Sequence, residues 1–135
     1  MRAVLDPNVL IAALLSRTGP PARIVVRWIA GDFELVASET LLAELERALA
    51  YPRLRERISP DEASTFVSLL TEAALVAADP ANPERRSVDA GDDYLLALAE
   101  AERAVLVSGD RHLLELTDRF PVQAPRDFVE LLERL

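Results

Sequence analysis

The stretch Arg2–Leu15, RAVLDPNVLIAALL, decides how the chain folds. Four residues, RAVL, read as a short buried strand. Pro7 suits the first turn of a helix, where a missing N–H costs little, and NVLIAALLS continues that helix. Between strand and helix stands one carboxylate, Asp6, in a setting that is otherwise apolar. Burying a lone ionised carboxylate is expensive, so Asp6 has either a capping or a chemical role.

The alternation of strand and helix continues outward from this stretch. PPARIVVRWIAG begins with proline and ends with glycine, the order expected of a helix. FELVA reads as a second strand. Ser38 is placed to cap ETLLAELERALAY, which stops before Pro52. A basic stretch, RLRER, follows, whose Arg53, Arg55 and Arg57 would either contact phosphates or form a solvated face. Ser59-Pro60-Asp61-Glu62 has the residues of a capping box and opens a helix to about Ala74. ALVAA is a strand and residues 79–91 a polar loop. DDYLLALAEAERA is a helix with acids at its positive end. VLVS is a strand, DRHLLELT a short helix, VQA a last strand and PRDFVELLERL a closing amphipathic helix expected on the sheet. Trp28 and Phe66 are expected in the core. The pattern predicts an α/β fold with a small, mainly parallel sheet flanked by helices.

The chain has 135 residues and reads as one domain, 1–135. Half its residues are apolar, the composition of a packed core. No apolar run approaches the roughly 18 residues of a membrane span, and the start lacks a signal-peptide layout. A cytoplasmic protein without membrane contact is expected. Cysteine is absent, which excludes disulfides and thiolate metal sites. Lysine is absent too, which excludes a lysine nucleophile. A net charge of −8 argues against a general nucleic-acid coat, but carboxylates gathered to hold cations would themselves contribute to it.

In such folds ligands bind at the carboxyl ends of the strands. Asp6 ends the first strand, and Asp110 follows VLVS by two residues with Ser108 beside it. Asp92 and Asp93 open a helix, and Glu44 or Glu46 lies on the helix after the second strand. Periodicity does not choose between those two glutamates, which flank the apolar face about equally. Like charges about 4 Å apart repel by roughly 4 kcal/mol at an effective dielectric of 20. Raised pKa values, arginine partners or bound cations must offset that. Hard divalent cations prefer such oxygen ligands and can activate a water against a phosphodiester. Read singly, Asp6 and Asp110 are equally good helix caps, and Asp92 and Asp93 read first as complements to a helix dipole. His112 reads as a helix-surface residue.

These acids, in this order, resemble the PIN domain family, and within it the VapC-like ribonucleases that are toxins of toxin–antitoxin pairs. VLDPNVLIAALL looks like the family's opening strand, and GDFELVASETLLAELERAL like its second strand and acid-bearing helix. DDYLLALAEAERAVLVSGDRHLL looks like its next helix, strand and S/T-G-D turn. The resemblance implies a PIN-like three-layer sandwich with Asp6, Glu44, Asp93 and Asp110 as metal-binding catalytic acids. It places Asn8, Asp92 and Ser108 in support, with Ser108 where Thr is usual and Pro7 where many members have Thr. It further implies Mg²⁺- or Mn²⁺-dependent cleavage of single-stranded RNA, a cognate antitoxin protein and a homodimer. Two rival readings are a non-catalytic PIN-like binding module and an aspartate-based phosphoacceptor or phosphatase domain. The missing lysine counts against the second rival.

Overall fold

A computed structural model describes residues 1–81 and 90–135. Strand β1 (Arg2–Leu5) leads into α1 (Pro7–Leu15) and α2 (Pro20–Ile29). Then come β2 (Glu34–Ser38), α3 (Glu39–Leu49), α4 (Pro52–Arg55), α5 (Pro60–Ala73) and β3 (Leu75–Ala77). After a 3-10 turn at Ala90–Asp92 follow α6 (Asp93–Ala101), β4 (Val105–Val107), α7 (Arg111–Leu114), β5 (Val122–Gln123) and α8 (Pro125–Glu133). The polar loop read at residues 79–91 lies, over 82–89, outside the described residues.

The five strands form one sheet in the order β3-β2-β1-β4-β5, with every pairing parallel. Each parallel crossover needs a helix, and these helices bury the central strands, whose inner residues are apolar, while the edge strand β3 stays largely exposed. Ala3, Val4 and Leu5 of the central β1 are wholly buried. β1 pairs with β2 in the register Val4↔Val36 and with β4 in the register Leu5↔Val107. The carboxyl ends of β1 and β4 therefore finish level, which brings Asp6 and Ser108 side by side.

Local chemistry sets the helix boundaries. Ser59 and Glu62 form the reciprocal capping box that starts α5. Gly31, at φ +87°, turns the chain after α2 in a conformation that disfavours side chains. Trp28 and Phe66 are buried, as expected. The segment RLRER contains a turn of helix, α4, that its sequence did not announce. Helix α8 packs on α2, where the expectation was the sheet. The reason is that Phe128 is driven between layers, meeting Phe33 edge-to-face with centroids 5.3 Å apart, while Glu133 pairs with Arg23 of α2. Among the described residues no single helix is long and apolar enough to cross a membrane.

Candidate active site

The site grows from the end of β1. The Asp6 backbone N–H donates to the Val107 carbonyl at 3.0 Å, so the β1–β4 ladder runs on into the acid itself. Its side chain is only 5% exposed. One oxygen, Oδ1, accepts the Asn8 N–H at 3.0 Å and caps α1. The other, Oδ2, accepts the Ser108 hydroxyl at 2.8 Å. Burial pushes the Asp6 carboxyl above the usual carboxylate range; the bonds from Asn8 and Ser108 pull it down without prevailing, and the charges of Glu44 and Asp110 push it up further.

Ser108 is wholly buried and links two acids. While donating to Asp6, its Oγ accepts the Asp110 N–H at 3.0 Å. Asp110 in turn accepts the His112 N–H at 2.8 Å and caps α7. Asp6 and Asp110 are thus both caps and neighbours, so the capping readings hold for each of them. His112 contributes its backbone, and its side chain is exposed as expected. Pro7, at the first position of α1, removes no donor the cap uses, since Asp6 takes the N–H of Asn8. The Asn8 side chain itself is exposed.

Helix α3 supplies Glu44. It is half-buried, and its Oε2 accepts the hydroxyl of Tyr94 on α6. Glu46 points elsewhere, into a hollow it lines with Leu49, Arg55 and Ser64. Of the two glutamates, Glu44 is therefore the one that faces Asp6. Asp93 is 3% exposed at the first residue of α6, with half-buried Asp92 just before it. Burial, the bond to Glu44 and the charges of Glu44, Asp6 and Asp79 all push the Tyr94 hydroxyl far above its usual range.

Asp79 was passed over in the sequence as part of a polar loop. It accepts the Thr40 N–H at 3.0 Å, at the start of α3, while Ser38 accepts the Leu41 N–H at 3.2 Å. Burial works against the charge on Asp79, but bonds from the Ser38 and Thr40 hydroxyls and the Thr40 N–H outweigh it and hold the carboxyl below its usual range. The acid-bearing helix is thus capped twice. No sequence signal points to a cap supplied from 39 residues away.

The donors are all hard carboxylate oxygens, which suit Mg²⁺ or Mn²⁺ and not a softer ion. Glu44 and Asp110 each lie within electrostatic reach of Asp6. Among the described residues, however, no three acids stand close enough to hold an ion as they are. Each of these three acids is occupied by a hydrogen bond within the protein: Asp6 with Ser108, Glu44 with Tyr94 and Asp110 with His112. The basic stretch shows no surplus of charge, since the exposed Arg53, Arg55 and Arg57 have Glu56, Asp61 and Glu62 beside them in sequence.

A model of the PIN domain matches residues 2–112, most of the chain. The chain belongs to the PIN domain family. PIN domains are generally nucleases that depend on divalent metals. This PIN domain is also 22% identical over 144 aligned positions to the uncharacterized protein MJ1680 of Methanocaldococcus jannaschii, covering 99% of this chain and 93% of that one. Among solved structures it resembles PAE2754 from Pyrobaculum aerophilum, with a TM-score of 0.68, 18% identity and all of both chains covered. It resembles VapBC-1 from nontypeable Haemophilus influenzae at 0.62 and 21%, covering 93% of this chain and 99% of the other. It also resembles VapBC2 from Rickettsia felis, solved on a DNA fragment from its promoter, at 0.62 and 14%, covering 92% and 98%. At such identities these structures speak for the fold of this PIN domain.

Proposed function

We propose that this PIN domain is an endoribonuclease that cleaves single-stranded RNA with Mg²⁺ or Mn²⁺, and that it is the toxin of a toxin–antitoxin pair. The observation that carries the proposal is the buried chain Asp6–Ser108–Asp110, with Glu44 brought to it from α3. Gathering like charges, one of them almost fully buried, is costly in a chain that needs them only for packing.

In this reading Asp6, Glu44, Asp93 and Asp110 hold the metal. When bound, the ion supplies charge neutralisation at the phosphodiester and a more acidic attacking water. The rest of the work falls to the chain. Asp6 is held rigidly by the β1–β4 ladder and by two donors. Ser108 keeps Asp6 and the backbone of Asp110 at a fixed separation. Asp93, buried at the start of α6, is the third ligand in this reading, with Asp92 beside it in sequence. Glu44 reaches in from α3, and the wall of apolar strand residues behind the acids keeps bulk water from their inner side.

The test is cleavage of a mixed single-stranded RNA pool with Mn²⁺, with Mg²⁺ and with EDTA, alongside Asp6→Asn. Metal-dependent cutting that vanishes in the variant is expected. Full activity in Asp6→Asn would remove Asp6 from the chemistry. One observation favours a second reading, a binding module without catalysis: Asp6, Glu44 and Asp110 all have hydrogen-bond partners within the protein. Silence in the cleavage assay together with no Mn²⁺-induced rise in melting temperature would establish that reading. The VapBC likenesses support an antitoxin partner. A homodimer belongs to the same proposal, and light scattering on the purified chain tests it.

A further inference from the structure

The hydroxyl of Tyr94 sits where three separate segments meet. It donates to Glu44 of α3, and it feels the charges of Asp6 after β1 and Asp79 after β3. Its own neighbour in sequence is the buried Asp93. Glutamate has a longer, looser side chain than aspartate. Half-buried on α3, and repelled by the charge of Asp6, Glu44 would swing toward solvent if nothing held it.

From this arrangement we infer that Tyr94 is a positioning residue: its hydroxyl keeps the Glu44 carboxylate on the Asp6 side of α3, short of contact with the other acids, for a divalent cation to recruit. The inference rests on the metal-dependent reading of the site. A carboxylate has about four lone-pair positions on two oxygens. Tyr94 takes one position on Oε2 and leaves Oε1 available. The bond also spans α3 and α6, so it ties Glu44 to the helix that begins with Asp93. A tyrosine at the second position of α6 reads in sequence as one more partly buried aromatic. Only the fold gives its hydroxyl a partner 50 residues away.

Tyr94→Phe removes the hydroxyl and keeps the ring. Mn²⁺ is titrated calorimetrically into the intact chain and into Tyr94→Phe, Asp6→Asn, Glu44→Gln and the Tyr94→Phe/Glu44→Gln double variant. Loss of a residue that orients a metal ligand typically weakens metal affinity about 10- to 100-fold. Tyr94→Phe is expected to weaken Mn²⁺ binding at least about tenfold, and adding Tyr94→Phe to Glu44→Gln is expected to do little more. Melting temperatures without metal check that each variant folds. Unchanged affinity in Tyr94→Phe, with affinity lost in Asp6→Asn, would overturn the positioning role and leave the metal site standing. Fully additive losses in the double variant would also overturn it. Absence of Mn²⁺ binding by the unaltered chain would overturn the reading beneath it.

Discussion

Replacing Ser108 with alanine tests the geometry at its most concentrated point. The substitution hardly changes volume, but it removes two hydrogen bonds in a wholly buried place. The bond from the hydroxyl to the Asp6 carboxylate is charge-assisted and contributes about 1.5–3 kcal/mol, and the Asp110 N–H bond to Oγ adds about 0.5–1.5 kcal/mol. Together the loss is roughly 2–4.5 kcal/mol. A chain of this length has an unfolding entropy of about 0.28 kcal/mol per degree, so the melting temperature should drop by about 7–16 °C near neutral pH. The cost also carries a pH signature. Ser108 stabilises the charged form of Asp6, so its removal lifts the carboxyl still further. The penalty is full where Asp6 is ionised and shrinks as pH falls through its folded pKa. Thermal unfolding followed by circular dichroism near neutral pH and near pH 4 measures both effects. A fall below about 2 °C near neutral pH, or the same fall at both pH values, would refute the reasoning that Ser108 acts through the Asp6 charge.

Two further expectations follow from the other acids. Because the folded pKa of Asp6 is raised, its burial costs nothing below the unfolded value and the full amount above the folded one. Asp6→Asn without metal should therefore gain stability on the unaltered chain as pH rises from about 4 to about 7; a pH-independent difference in urea midpoints would contradict this. Asp79 is the opposite case, held low, so its contribution is present above its unfolded pKa and lost as pH falls through the folded one. Asp79→Ala should cost about 0.5–1 kcal/mol near neutral pH, reduced by the solvent exposure of Asp79, through the lost cap on α3. That deficit should shrink as pH falls below the usual carboxylate range, and a deficit in denaturant unfolding that does not change with pH would rule out the cap as its cause.

Where the chain's own periodicity is strong, the fold could be read ahead of the structure. The run of apolar residues around Asp6, the proline-to-glycine frame of α2 and the Ser59–Glu62 box each specify an element through local chemistry alone. So do the central strands of the parallel sheet, whose two covered faces leave near-continuous apolar runs. Asp6 was legible as an anomaly because it breaks such a run. Other features were not legible because they depend on distant pairing. Glu44 and Glu46 are equivalent on a helical projection, and only the position of α6 separates them. Asp79 looks like any acid in a polar loop until β3 places it over the start of α3. Helix α8 shows an amphipathic face to the sequence, but which surface receives it depends on Phe33 and Phe128 meeting.

The place of β1 has a consequence for how the molecule comes into being. Strand β1 is the central one, and its partners on either side are β2 and the much later β4. The Asp6–Ser108 bond spans 102 residues. At translation speeds of about 5–20 residues per second, Asp6 waits roughly 5–20 s before Ser108 is even polymerised. Closing so long a loop is a late, topologically slow event. A growing chain on the ribosome therefore holds Asp6 and Ser108 apart until the residues between them have been made. Whatever this cluster does, it is a property of the finished chain, and synthesis itself acts as the safety catch.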